Sequence, residues 1–306
     1  MDPVIAYHTH HEIDKARWNA LLASSPNGLA YAHSDFLDAM SPGWDALIEG
    51  DYDAVMPLTW RKKLGIPYLC QPAFCQQLGV FSAAAIQPPL VGSFVRKVVQ
   101  HFRLIEIYLN DANAAEGLQA NATNYVLHLN KPYESLRQQY RNDLMKNLKR
   151  TEKFSLQYHA SDNVAEAVDQ YKLLYGSRLG YRANDFEALK KVCTKWIAEG
   201  KCFVREVRLQ EKSFTQLMAI GLFLTDNNRI YNIASSTLPN GRTFEANHFL
   251  FDQLIREFSG RDMILDFEGS DLPGVARFYQ KFSPENRPFF FWKNNRLPAI
   301  LRWWKR

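Results

Sequence analysis

The sequence predicts an α/β (α+β) protein of two tandem domains, each a mixed, mostly antiparallel sheet flanked by helices, and three observations carry that expectation. The chain has 306 residues, 46% hydrophobic and 13% aromatic, which is more apolar chain than one ordinary domain core takes up. Apolar runs of strand type alternate with stretches of helical period along its length. One order of elements, hairpin strands followed by a helix and then a strand, occurs twice, and this is a repeat of architecture rather than of letters.

The first half opens with a strand at 4–8 and a helix at 13–23, where Trp18, Leu21 and Leu22 recur at helical spacing before Gly28 ends the unit. A short helix at 34–40 precedes β-rich segments at 46–49 and 54–60, joined through Gly50-Asp51, a dipeptide suited to a tight hairpin. A stretch rich in Pro and Gln, 68–81, leads to a helix at 92–101 and an apolar strand at 104–109. A strand at 125–129 and one long amphipathic helix at 133–153 follow, with Leu136, Tyr140, Leu144 and Leu148 on one face. The domain boundary is placed near Asn130, giving domains 1–130 and 131–306.

The second half reads as helices at 164–179 and 186–199, then strands at 203–208, 217–224 and 230–235. Turns at Gln210-Glu211 and Asp226-Asn227-Asn228 separate those strands. A helix at 243–258, stopped by Gly260, and a buried-type strand at 263–267 complete the repeat.

Composition excludes several classes. A net charge of +5 favours a phosphate-bearing ligand and is too small by itself to argue nucleic-acid binding. No apolar run approaches the ~18 residues of a membrane span, and Met1, Asp2 and Pro3 do not begin an export signal, so a cytoplasmic protein is expected. Cys70, Cys75, Cys193 and Cys202 form no metal or redox spacing and read as reduced, mostly buried thiols. The Asn121-Ala122-Thr123 sequon then has no meaning, because it needs a secretory route. His8, His10 and His11 lack a carboxylate or cysteine cluster to complete a site, so no metal is expected, and His248 reads as structural.

The most informative segment is 263–282. An apolar strand ends in Asp266, Phe267, Glu268, Gly269 and Ser270, and a helix follows with Pro273 in its first turn, capped by Ser270 or Asp271. Ligands in open α/β sheets collect beyond the carboxyl ends of strands, and period-2 alternation puts Asp266 and Glu268 on one side of this strand. Two readings stand open: both carboxylates border a site, or Asp266 accepts backbone hydrogen bonds in the turn while Glu268 is solvated.

Val275, Phe278, Tyr279, Lys281, Phe282 and Ser283 resemble the last motif of the GNAT acyltransferase superfamily, with Val275 and Ser283 standing where the family has a small residue and a glycine. The resemblance extends over nearly the whole chain to the Fem-type branch, which has two GNAT-like domains. It rests on the duplicated order, on the 265–270 segment with its helix, and on the basic helix carrying Arg141, Lys146, Lys149, Arg150 and Lys153. The 68–81 segment also looks like one found in bacterial members.

The resemblance implies transfer of an acyl or aminoacyl group from acyl-CoA or aminoacyl-tRNA to an amine, by direct transfer, with the active cleft in the C-terminal half. The acceptor it implies is an amine-bearing small molecule or a cell-envelope precursor. In such a site Tyr279 assists the leaving group, and Glu268 or Asp266 orients or deprotonates the acceptor amine. The backbone of Ile233, Ala234 and Ser235 holds the donor, and Asn240, Gly241, Arg242 and Thr243 supply a turn, a positive charge and a cap for its phosphates. Glu245 and Asn247 occupy positions where the family's phosphate loop has small residues, a loss that the Fem-type branch tolerates.

Lys149 and Arg150 lie on one side of the basic helix, either as a solvated face or as a ridge for a nucleotide-linked substrate or a tRNA acceptor stem. The C-terminal run 288–306 reads as a final strand at 289–292 packing on the second sheet, with Trp303 and Trp304 covering an edge; Pro298 interrupts any long amphipathic helix there. The rival to an enzyme is a binding or scaffold protein that keeps the fold and binds an anionic ligand without catalysis.

Overall fold

The computed structural model describes residues 4–211, 215–226 and 228–298. The chain divides into two compact units, Met1–Thr123 with Pro288–Arg306, and Asn124–Arg287.

In the first unit, β1 (Ile5–His8) and a 3-10 turn (His10–Glu12) precede α1 (Lys15–Ser24), whose N-cap Asp14 accepts from the Ala16 and Arg17 amides. A second 3-10 turn (Ala30–Ala32) and α2 (Ser34–Met40) lead into the hairpin of β2 (Asp45–Glu49) and β3 (Ala54–Leu58). Gly50 turns at φ +54°, a conformation that costs glycine little. After Thr59 the chain changes sheets, and β4 (Trp60–Lys63) pairs with β5 (Ile66–Cys70). Then come β6 (Phe81–Ser82), α3 (Pro88–His101), β7 (Leu104–Leu109) and β8 (Ala120–Ala122). The strands β1-β2-β3-β6 form one sheet in that order. Phe94 and Val98 of α3 bury against Leu47, Met56, Ile105 and Ile107.

The second unit starts with β9 (Tyr125–His128), α4 (Tyr133–Arg137), α5 (Asn142–Thr151) and β10 (Leu156–Ser161). It continues with α6 (Val164–Leu179), capped by Asn163 at its start and by Gly180 at φ +67° at its end, and α7 (Ala183–Ala198). Strands β11 (Cys202–Gln210), β12 (Thr215–Thr225) and β13 (Arg229–Thr237) form an antiparallel meander. The remaining elements are α8 (Pro239–Thr243), α9 (Ala246–Phe258), β14 (Ile264–Asp266), α10 (Pro273–Tyr279), a 3-10 turn (Gln280–Phe282) and β15 (Glu285–Asn286). The sheet order is β10-β11-β12-β13-β14-β9-β15, with β13 and β14 parallel. Its core stacks Phe251, Leu254 and Ile255 of α9 on Phe223, Ile230, Leu265 and Phe267.

Several expectations change here. The helix expected at 133–153 is two helices, because Arg141 is extended (φ −65°, ψ 150°) and its amide donates to the Lys281 carbonyl at 2.9 Å. Leu136, Tyr140, Leu144 and Leu148 still enter one core, so the face was right although the helix is broken. The helix expected at 243–258 is α9, which starts only at Ala246 because Glu245 before it is left-handed at φ +56°; the short α8 precedes it. The final strand β16 (Phe289–Asn295) lies between β7 and β8 in the first unit's five-stranded sheet, β4-β5-β7-β16-β8, and not on the second sheet. Trp303 and Trp304 lie outside the described residues. The units therefore differ from domains of 1–130 and 131–306 at both ends, since β9 pairs with β14 and β15 while β16 pairs with β7. No helix among the described residues is long and apolar enough to cross a membrane.

Candidate active site where two parallel strands part

The register of the second sheet creates the site. Strands β13 and β14 pair only through Arg229, Ile230 and Tyr231, opposite Ile264, Leu265 and Asp266. From Asn232 to Thr237, β13 keeps its antiparallel partner β12 but has no strand on the β14 side. Backbone groups in such a gap need a partner other than a neighbouring strand. A register shift also sets Leu222 opposite Ala234 and Phe223 opposite Asn232, which skips Ile233. Such a bulge alters the alternation of side chains, and this lets both Asn232 and Ser235 interact with the same phenol, Tyr279.

Tyr279 ends α10 and is 5% exposed, stacked on Phe267 with ring centroids 4.7 Å apart. Its hydroxyl oxygen accepts from Asn232 Nδ2 at 2.7 Å, and the same Nδ2 donates to the Phe267 carbonyl at 3.1 Å. Burial, with the nearby Tyr171 and Glu268 adding to it, holds the Tyr279 phenol far above its ordinary value. The side chain therefore stays protonated at any physiological pH.

The two carboxylates are not equivalent. Asp266 closes β14 and is fully buried; it accepts from Asn124 Nδ2 (3.1 Å), Arg229 Nη1 (3.3 Å) and the Glu268 amide (3.1 Å). Its lone pairs are committed to holding three segments together. Glu268 lies beyond the strand end at φ +53°, followed by Gly269 at +59°, so strand alternation does not reach it and the two acids do not share a face. Glu268 is half-buried, and its charge reaches both Tyr171 and Tyr279. Ser270 does not cap α10; its hydroxyl accepts from the Tyr125 amide, and the N-cap is Leu272 without a side-chain bond.

The expected phosphate turn has a different use. Gly241 is buried where α8 meets β12, and a Cβ there would lie 2.1 Å from the Met218 carbonyl oxygen, so its bareness serves packing. Asn240, Arg242 and Thr243 are exposed. Thr243 does not cap α9; Glu245 stands at that N-terminus without a capping bond. The Glu245 carboxylate accepts from Arg150 Nη1 at 2.8 Å and from His248 Nδ1 at 3.0 Å. Lys149 and Arg150 are exposed on α5, and Arg150 is thus engaged. His248 is buried with its pKa lowered, first by burial and then by the Lys281 ammonium, and this leaves the ring neutral. Its Nε2 faces Asn147 Nδ2 and Lys281 Nζ, both at 3.4 Å, which suits an acceptor there and a proton on Nδ1.

Asn232 and Tyr171 were missed from the sequence. An asparagine within an apolar strand was the available signal for the first, and nothing marked the second among the tyrosines of α6. Two concavities of about 360 and 300 Å³ lie in the first unit, one beside Glu49, Tyr52 and Asp53 and one beside Tyr7, Trp60 and His101. Neither touches these residues; Tyr279, Glu268 and Tyr171 come together at the strand gap instead. No group of three or more His, Cys, Asp or Glu among the described residues is placed to hold a metal ion.

No protein-family model matches the sequence, and no curated protein sequence matches it. Solved structures do match the fold. FemX superposes with a TM-score of 0.65 at 11% identity, over 95% of this chain and 98% of that one. The C-terminal domain of a putative lysylphosphatidylglycerol synthetase from Agrobacterium fabrum gives 0.53 at 13% identity, over 94% and 93%. A tandem GNAT protein from the clavulanic acid biosynthesis pathway gives 0.51 at 10%, over 96% and 99%. At these identities the comparison speaks for the fold, and the fold of this chain is that of the Fem-like tandem GNAT proteins.

Proposed function

We propose that the protein is an N-acyltransferase that moves an acyl or aminoacyl group from acyl-CoA or aminoacyl-tRNA to an amine by direct transfer. The observation that carries this reading is Tyr279, a buried phenol held protonated at the point where β13 and β14 part, with the Glu268 charge in reach. Glu268 takes a proton from the acceptor amine, whose nitrogen lone pair then attacks the acyl carbon. The bond to sulfur or to ribose oxygen breaks with its electron pair on that atom, to which Tyr279 supplies a proton; the surplus proton on the newly acylated nitrogen leaves to restore the phenol, and Glu268 releases its proton to solvent. Asp266 acts through Glu268, whose amide it holds.

In this reading the backbone of Ile233, Ala234 and Ser235 lies along the donor. Arg242, with Asn240, Gly241 and Thr243 beside it, steers phosphate, and Lys149 and Arg150 face a nucleotide-linked or RNA-borne substrate. The acceptor is an amine-bearing small molecule or cell-envelope precursor.

A second reading, a binding protein without catalysis, draws on Glu245. Its carboxylate occupies the N-terminus of α9, where a diphosphate would otherwise be favoured. Thermal unfolding with acetyl-CoA, coenzyme A or an aminoacylated RNA minihelix separates the readings, because a ligand of the native state raises the transition by mass action. A shift with acetyl-CoA that Arg242→Ala removes selects the acyl-CoA donor. A shift with the RNA alone selects aminoacyl-tRNA, and no shift with any of them turns the choice to the non-catalytic protein.

A further inference from the structure

We propose that Asn232 is a positioning residue of this site: it fixes the direction in which Tyr279 presents its proton, and its own amide oxygen is left to receive an N–H of the bound substrate. This rests on the role assigned to Tyr279 above.

The orientation of the Asn232 amide follows from its partners. The Phe267 carbonyl can only accept, so the amide atom 3.1 Å from it is Nδ2 and not Oδ1. That same nitrogen lies 2.7 Å from the Tyr279 oxygen, so the phenol is the acceptor in this pair. The phenolic proton must therefore point away from Asn232. A flipped amide would set two acceptors against each other at Phe267, and Tyr279 would then spend its proton on the asparagine.

The position of Asn232 in the sheet supports a role beyond bracing. It is the first residue of β13 past the last pair with β14, and its amide spans the opening to Phe267, the residue just after β14. Burying an unpaired polar atom costs stability, so a buried acceptor without a protein partner at the strand gap gains from one that a ligand supplies. Asn232 is 5% exposed, and its Oδ1 has no partner among the described residues. A buried acceptor beside a directed proton donor suits an amide- or amine-bearing substrate.

Two measurements test the proposal. In the ligand-free protein at neutral pH, both side-chain amide protons of Asn232 should exchange slowly with solvent by NMR, and Tyr279→Phe should release one of them. Fast exchange of both, or no response to Tyr279→Phe, overturns the arrangement whether or not the protein is a transferase.

The second measurement follows release of thiol from acetyl-CoA, or of the aminoacyl group from the minihelix. Asn232→Leu, verified as folded by its unfolding transition, should lower kcat by about tenfold for the lost hydrogen bond to Tyr279 and raise KM by about tenfold for the lost contact with the substrate N–H. On a Tyr279→Phe background it should cost nothing further in kcat, while the rise in KM remains. An equal loss of kcat on both backgrounds, or an unchanged KM, overturns the proposal. Asn232→Ser, which keeps one donor, replaces Asn232→Leu if the latter does not fold, and it should give an intermediate kcat. No release from either probe by the wild-type protein overturns the transferase reading, and the amide-proton result then decides the hydrogen-bond arrangement by itself.

Discussion

Asp266→Asn should destabilise the second unit, and the size of the effect follows from its surroundings. The carboxylate is fully buried and its ionic partner Arg229 is 12% exposed, so screening by solvent is small. The substitution keeps the shape, and an amide oxygen can still accept from the Glu268 amide, but Arg229 loses one of its carboxylate partners, with the Asp226 charge remaining beside it. Stranding one member of a buried pair costs about 3–5 kcal/mol. We take the lower end, about 3 kcal/mol, because Arg229 retains the Asp226 charge and the Tyr231 ring, 5.7 Å from its guanidinium. For a unit of this size that lowers the melting transition by about 6–12 °C. Urea unfolding followed by circular dichroism would measure it, alongside Arg229→Met and the double variant. Since replacing both ions by apolar or neutral groups is often tolerated, the double variant should recover at least half of the loss. A loss below about 1 kcal/mol, or a double variant as unstable as the two singles added, would refute the assignment of Asp266 as an anchor.

Three further outcomes are expected. Gly241→Ala should cost about 1–3 kcal/mol in the same assay, because its Cβ would meet the Met218 carbonyl oxygen at 2.1 Å; unchanged stability would mean that α8 is not docked there. Glu268→Gly should leave stability unchanged or raise it by up to about 1 kcal/mol, since φ +53° is costly for a side-chain-bearing residue, while acyl transfer falls; retained activity would remove Glu268 from the chemistry. The lowered pKa of His248 makes stability pH-dependent. Its contribution is fully present above the ordinary value of 6.5, where folded and unfolded rings are both neutral, and is lost progressively as pH falls below 6.5 toward the folded value. His248→Asn, which keeps a donor toward Glu245, should flatten that decline, and an unflattened decline would assign it to other groups.

The sequence by itself determined the class of fold and most, but not all, elements of the second half. Its apolar periodicity is a local property, and it survives even where the backbone breaks: Leu136, Tyr140, Leu144 and Leu148 reach one core from two helices instead of one. The strand end at Asp266 and the Pro-started helix that carries Tyr279 were also legible, because both are local patterns. Short and polar strands were not legible. β10, with the sequence LQYHAS, carries little apolar alternation, and β4 is recognisable only once β5 pairs with it.

Only the tertiary structure decided the rest, for the common reason that the deciding partner is remote in sequence. Trp292 sits in the first unit because Ile107 is opposite it, and not because of its neighbours in the chain. Asp266 is an anchor because Asn124 and Arg229 come to it. Gly241 is a packing residue because of Met218, and Asn232 joins the site because β14 ends one residue before Phe267 and turns its carbonyl toward it. A side chain's composition states which bonds it can make; which of them it makes depends on what folding brings within about 3 Å.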